Sequence, residues 1–101
     1  MRLVVTGAGG DLGSAFVRRL PAHHELHAFD HAALDVGDHD AVRQIVEPLM
    51  ADAIFNFAAF TRVDDNETDQ PRSFRDNALG PQHLALAARA SGATLVHVST
   101  D

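Results

Sequence analysis

The 101-residue sequence contains no cysteine, no tyrosine and no lysine, so all eight of its Lys/Arg positions are arginine. Without cysteine, disulfides and thiolate metal sites are excluded, and the chain is compatible with the reducing cytosol. No apolar run is long enough to span a bilayer. The N-terminus enters a strand directly, without the charged region, hydrophobic stretch and cleavage site of a secretory leader. The expectation is a soluble, cytoplasmic protein with no membrane partner. A formal net charge of −6 leaves no basic patch to neutralise phosphates, which argues against a nucleic-acid partner.

What the chain does contain is enough for one domain. Its hydrophobic content of 46% suffices to bury a single core, and the length leaves no room for two. No internal repeat, low-complexity tract or linker interrupts it. The strongest signal lies at the start, where the apolar run Leu3-Val4-Val5 and Thr6 empties into Gly7-Ala8-Gly9-Gly10-Asp11-Leu12-Gly13. This pattern predicts strand, phosphate loop and helix. Gly7 makes the tight turn, Gly10 lets a dinucleotide pyrophosphate lie against bare backbone, and Gly13 lets the helix pack close to the sheet. Free N–H groups at the helix start, with the positive end of its dipole behind them, then face the phosphates. The spacing is G-x-x-G-x-x-G, distinct from the more general G-x-G-x-x-G.

Further along, Leu12, Phe16 and Leu20 recur at helical spacing as one apolar stripe, ended by Pro21. Glu25 to Phe29 alternates as a second strand closed by Asp30, about twenty residues after the glycines, where a Rossmann unit places the acid that binds the adenosine ribose. Asp38 reads as the N-cap of a helix carrying Val42, Ile45, Val46 and Leu49, which ends near Pro48. The apolar run Ala53 to Ala59 predicts a third strand buried on both faces. A polar segment from Thr61 to Arg72 follows. Its acids Asp64, Asp65, Glu67 and Asp69 read as a solvated face rather than a metal site. From Phe74 to Ala88 the spacing predicts one long helix kinked at Pro81 and ended by Gly92, and Thr94 to Ser99 reads as a fourth strand. His23, His24, His27 and His31 straddle a loop and a strand without a shared face, so no metal site is expected from them. The predicted fold is α/β: a Rossmann-like parallel sheet with helices on both faces, the N-terminal half of a doubly wound fold, βαβαβαβ with strand order 3-2-1-4, right-handed crossovers and strand 4 at an open edge.

Five segments in order, Thr6 to Gly13, Leu34 to Asp38, Asn56 to Asp64, Asn77 to Gly80 and Val96 to Asp101, resemble the dTDP-4-dehydrorhamnose reductase family of extended short-chain dehydrogenases. The resemblance covers the whole chain, and N-x-A-A-x-T-x-V-D together with V-H-x-S-T-D is its specific part. It implies hydride reduction of the 4-keto group of dTDP-4-dehydro-L-rhamnose to dTDP-L-rhamnose with NAD(H) or NADP(H). It further implies that Gly10, Asp11 and Leu12 contact the pyrophosphate, Asp30 the ribose, and Asp35 and Val36 the adenine. Ala58, Ala59, Phe60 and Thr61 then border the pyrophosphate and nicotinamide ribose, and Val98 touches the cofactor. Thr100 matches the family's catalytic hydroxyl, and Asp101 reaches the sugar.

In this superfamily the proton comes from the tyrosine of a Y-x-x-x-K pair, and the chain has neither residue type. Residues 1–101 are therefore expected to form the NAD(P)-binding part of a longer enzyme, inactive alone, with the rest of the sheet and a sugar-binding domain beyond it. A homodimer of the full-length protein is compatible with the resemblance. A magnesium-bridged one is not expected, because Ser14-Ala15 stands where some members carry the bridging glutamate. Charge repulsion between Asp30 and a 2′-phosphate favours NAD over NADP. Two other readings stay open: a non-catalytic regulator on the same fold, like the regulatory subunit of methionine adenosyltransferase, and a sugar-nucleotide epimerase or dehydratase.

Overall fold

The computed structural model describes residues 1–57 and 79–98. Four parallel strands run β1 (Arg2–Thr6), β2 (Glu25–Phe29), β3 (Ala53–Asn56) and β4 (Thr94–His97). Between them lie α1 (Asp11–Arg19), α2 (His39–Val46) with a 3₁₀ turn at Glu47–Leu49, and α3 (Gly80–Ser91).

Side chains alternate across the sheet, as strand geometry requires. Val4 and Ile54, paired in register, turn to one face and form the main core with Val42 and Val46 of α2 and Leu84, Ala87 and Ala88 of α3. The opposite face holds Phe55, whose ring centroid lies 4.7 Å from that of Phe16 in α1, with Phe57 at 5.3 Å. Helices thus cover both faces, in agreement with the expected fold class.

The strand order corrects the expectation. It is β2-β1-β3-β4, whereas 3-2-1-4 would put β3 outside β2. Burial gives the reason. Three of the four β3 residues are buried, while β2 is exposed or half-buried throughout. The strand that is apolar on both faces takes the interior place, and the alternating polar strand takes the edge. Chain direction across the sheet therefore reverses beside β1, between it and β3. β4 forms the other edge.

Local signals explain the helix ends. Leu20 is extended before Pro21, and α1 stops there, as the residue preceding proline requires. The Asp38 side chain accepts from Ala41 N–H at 3.2 Å and caps α2. Pro48 falls in the 3₁₀ turn, which Met50 closes with φ 51°. Pro81 sits in the first turn of α3 as described, a position that tolerates proline; residues 74–78 of the expected helix, and with them the expected kink, lie outside the described residues. Gly92 ends α3 at φ 74°, and Ala93 N–H reaches Ala88 O at 2.8 Å.

Candidate functional site

The glycine loop lies at the carboxyl end of β1, beside the reversal of strand order, where ligands of open α/β sheets bind. Gly7 leaves the strand at φ 71°, a left-handed conformation that side chains disfavour. Gly10 N–H returns to Gly7 O at 3.2 Å and closes the turn. A Cβ at Gly13 would stand 2.2 Å from Gly7 O and 3.1 Å from Ala8 Cα. Its absence therefore lets α1 press against the loop itself, rather than only against the sheet.

Gly10 differs from these two. The nearest atom to a Cβ there is Gly7 O at 3.6 Å, so the fold itself does not demand glycine. Gly10 is the N-cap, in extended backbone and without a side chain to bond the first turn, and Ser14 N–H is the first to find a helical acceptor, Gly10 O at 2.9 Å. The start of α1 thus presents uncapped N–H groups, the arrangement that suits an anion. Arg18 and Arg19 stand in its last turn, at the far end from the loop.

Asp30 is exposed at the end of β2. Its Oδ1 accepts from Ala33 N–H at 2.9 Å, so it is a turn aspartate as well as a candidate ribose acid. Sequence reasoning passed over Gly9. A Cβ at Gly9 would meet Asp30 Cβ at 3.2 Å, and Ala8 N–H bonds Phe29 O at 3.0 Å. The loop and the carboxylate are therefore held side by side, and the Gly9-Gly10 pair was the available signal.

One expected side-chain contact falls elsewhere. Val36 is 1% exposed and packs in the α2/α3 core, so its methyls are not available to an adenine face; its carbonyl instead meets His83 Nδ1 at 2.8 Å. Asp35, beside it, accepts from Gly37 N–H at 2.9 Å. Leu12 is 52% exposed and does not join Phe16 under the sheet; exposure there suits the pyrophosphate role better than the core role. Val98 continues beyond β4, its N–H on Asn56 O at 3.1 Å. Ala58, Ala59, Phe60, Thr61, Thr100 and Asp101 lie outside the described residues, as do Asp64, Asp65, Glu67 and Asp69.

The histidines disperse. His23 and His24 ring centroids lie 4.2 Å apart at a tilt of 42°, and the His24 pKa is lowered by desolvation, then by His23 and the terminal ammonium. His27 bonds Glu25 at 2.8 Å. Among the described residues no helix is long and apolar enough to cross a membrane.

A parallel sheet whose first strand opens through a close-packed glycine loop onto an uncapped helix, at the reversal of strand order, defines the Rossmann-like class of α/β domains. Comparison with known proteins narrows the class. The family model described as RmlD substrate binding domain matches residues 1–101, and the chain belongs to that family. It is 41% identical over 101 residues to the dTDP-4-dehydrorhamnose reductase of Mycobacterium tuberculosis, covering 99% of this chain and 33% of that protein. The structure of dTDP-4-dehydrorhamnose reductase from Bacillus anthracis in complex with NADP superimposes with a TM-score of 0.88 at 33% identity, covering 97% of this chain and 36% of that one. Thermus thermophilus UDP-glucose 4-epimerase in complex with NAD gives 0.85 at 28% identity, covering 99% and 38%. The chain thus spans about a third of the length of the curated relatives it matches.

Proposed function

We propose that the chain forms the nicotinamide-dinucleotide-binding part of a dTDP-4-dehydrorhamnose reductase. The observation that carries this reading is the loop: Gly7 left-handed, Gly13 without room for a methyl, and Gly10 open above an uncapped helix start. These features fit a pyrophosphate, since among the loop glycines Gly10 alone has neither a left-handed backbone nor a tight contact to require it. The N–H groups of Asp11, Leu12 and Gly13 bind it, Asp30 accepts from the ribose hydroxyls, and Asp35 borders the adenine. Ala58 to Thr61 and Val98 line the path toward the nicotinamide.

When bound there, the nicotinamide cofactor supplies hydride to the 4-keto carbon of the sugar. Thr100 donates a hydrogen bond to the carbonyl oxygen and holds it in line, and Asp101 binds the sugar. As the C–H bond forms, the oxygen must take a proton, a transfer for which general acid catalysis contributes ~10²- to 10⁴-fold. With no tyrosine or lysine in 101 residues, that acid comes from outside them, and the chain alone does not turn over. Exposed Asp30 beside Gly9 favours NADH over NADPH. The reading also implies a cytoplasmic enzyme acting on a nucleotide sugar.

The test is to follow NADH and NADPH oxidation by the full-length protein with dTDP-4-dehydro-L-rhamnose. Ketone-dependent oxidation is expected from the full-length protein and none from residues 1–101. Turnover by residues 1–101 alone overturns the division of labour. Cofactor binding without reduction transfers the assignment to a regulator, and interconversion of sugar epimers without net oxidation of the cofactor transfers it to an epimerase.

A further inference from the structure

Thr6, Asn56 and His97 occupy one register row across β1, β3 and β4, at the ligand end of the sheet. Thr6 and Asn56 are 0% and 1% exposed, so their polar side chains depend on protein partners, and an unmade bond there is costly. Thr6 Oγ1 donates to Asn56 Oδ1 at 2.7 Å, and Asn56 Nδ2 faces His97 Nδ1 at 2.9 Å. With the oxygen of the amide committed to Thr6, the nitrogen can only donate. In this amide orientation His97 Nδ1 is the acceptor, which puts the ring proton on Nε2.

We propose that His97, fixed as the neutral Nε2–H tautomer by Asn56, is a positioning residue that locks the ligand-side end of β4 to β1 and β3. Among the described residues β4 is a four-residue strand with one strand neighbour, so each bond at its end counts toward its placement. Phe57 N–H on Thr6 O at 2.9 Å and Val98 N–H on Asn56 O at 3.1 Å extend the ladder past the row. The side-chain row adds one bond between β1 and β3 and one between β3 and β4 at that level, beyond the backbone ladders. Thr100 follows His97 by three residues in sequence, so the lock acts on the strand that leads into the proposed reacting hydroxyl. This last step rests on the reductase reading; the tautomer and the lock do not.

The test compares His97→Leu, which removes the acceptor, with His97→Asn, whose side-chain oxygen replaces Nδ1, in the full-length protein. In the wild type, ¹⁵N spectra should report Nδ1 unprotonated and Nε2 protonated. Amide exchange at Val98 should quicken about tenfold or more in His97→Leu and stay near wild type in His97→Asn. Because misplacement by about 1 Å can cost ~10²-fold, kcat should fall about tenfold to a hundredfold in His97→Leu, with the cofactor Kd changed less than about twofold, and His97→Asn should recover most of it. A proton on Nδ1, unchanged exchange at Val98, or an Asn variant no better than Leu overturns the proposal. Loss of cofactor affinity in step with kcat also overturns it. If the wild type does not reduce the ketone, the reductase reading fails, and the nitrogen shifts and Val98 exchange still decide whether the lock exists.

Discussion

Replacing Gly13 with alanine sets two effects of opposite sign against each other. Helix propensity alone makes Gly→Ala inside a helix favourable by about 1 kcal/mol. In this fold the added methyl would stand 2.2 Å from Gly7 O, 3.0 Å from Gly7 C and 3.1 Å from Ala8 Cα. All three are backbone atoms of a turn already pinned by the left-handed Gly7, so no rotamer change relieves the contact. Ordinary separation requires helix and loop to part by about 1 Å. Overpacking costs about 1–3 kcal/mol, and a backbone-to-backbone clash belongs at the upper end, which leaves a net loss of about 2 kcal/mol. For a domain of about 100 residues this lowers Tm by roughly 10 °C. Urea unfolding followed by circular dichroism measures it as a lower midpoint at constant slope. Gly10→Ala supplies the contrast: with nothing closer than 3.6 Å it should unfold like wild type to within about 0.5 kcal/mol, while losing affinity for NADPH in a fluorescence titration. A Gly13→Ala protein as stable as wild type, or more so, refutes the close-packed loop.

Asp30→Asn keeps the oxygen that receives Ala33 N–H but removes the charge. At about 4 Å in water-like dielectric a like-charge pair costs about 1 kcal/mol, so the ratio of NADPH to NADH Kd should fall about fivefold; an unchanged ratio in parallel titrations counts against Asp30 as the discriminator. Asp38→Ala deletes the cap on Ala41 N–H and should cost about 1 kcal/mol in urea unfolding, whereas a loss below about 0.3 kcal/mol would assign the start of α2 to packing alone. Glu25 is held below its ordinary value of 4.5 by hydrogen bonds from His27 and then Arg2. A depressed carboxyl stabilises the fold above that ordinary value and loses the contribution as pH falls through the folded-state value. The Tm difference between wild type and Glu25→Gln should therefore shrink below pH 4.5, and a difference independent of pH would contradict the ion cluster.

Local chemistry was legible where one residue type answers one backbone demand: Gly7 for the turn, Asp38 for the cap, Gly92 for the left-handed end of α3. Tertiary approach was not. Gly9 leaves little room for a side chain because Asp30, at the end of another strand, comes within 3.2 Å of where a Cβ would stand, and no spacing rule encodes that distance. Periodicity put Leu12 on the apolar stripe of α1, yet it stands half in solvent at the glycine loop. Val36 follows Asp35 in an irregular stretch that reads as surface, but the stretch folds down and buries it beneath α2 and α3. Strand order depends on which strand tolerates two covered faces, a comparison between distant segments rather than a pattern within one. The Thr6–Asn56–His97 row is invisible until register is known, since its members are 50 and 41 residues apart.

The two margins of the sheet are chemically unlike. Along β2, Glu25 is engaged by Arg2 at 2.6 Å and by His27 at 2.8 Å, which gives that side a hydrated, charged border. Along β4, Val96 is 38% exposed and neighbours Phe55 in register, with no ion pair among the described residues. Such asymmetry gives the sheet a direction of growth. Charge on one border discourages edge-to-edge pairing, so among the described residues the β4 border is the one chemically open to another strand.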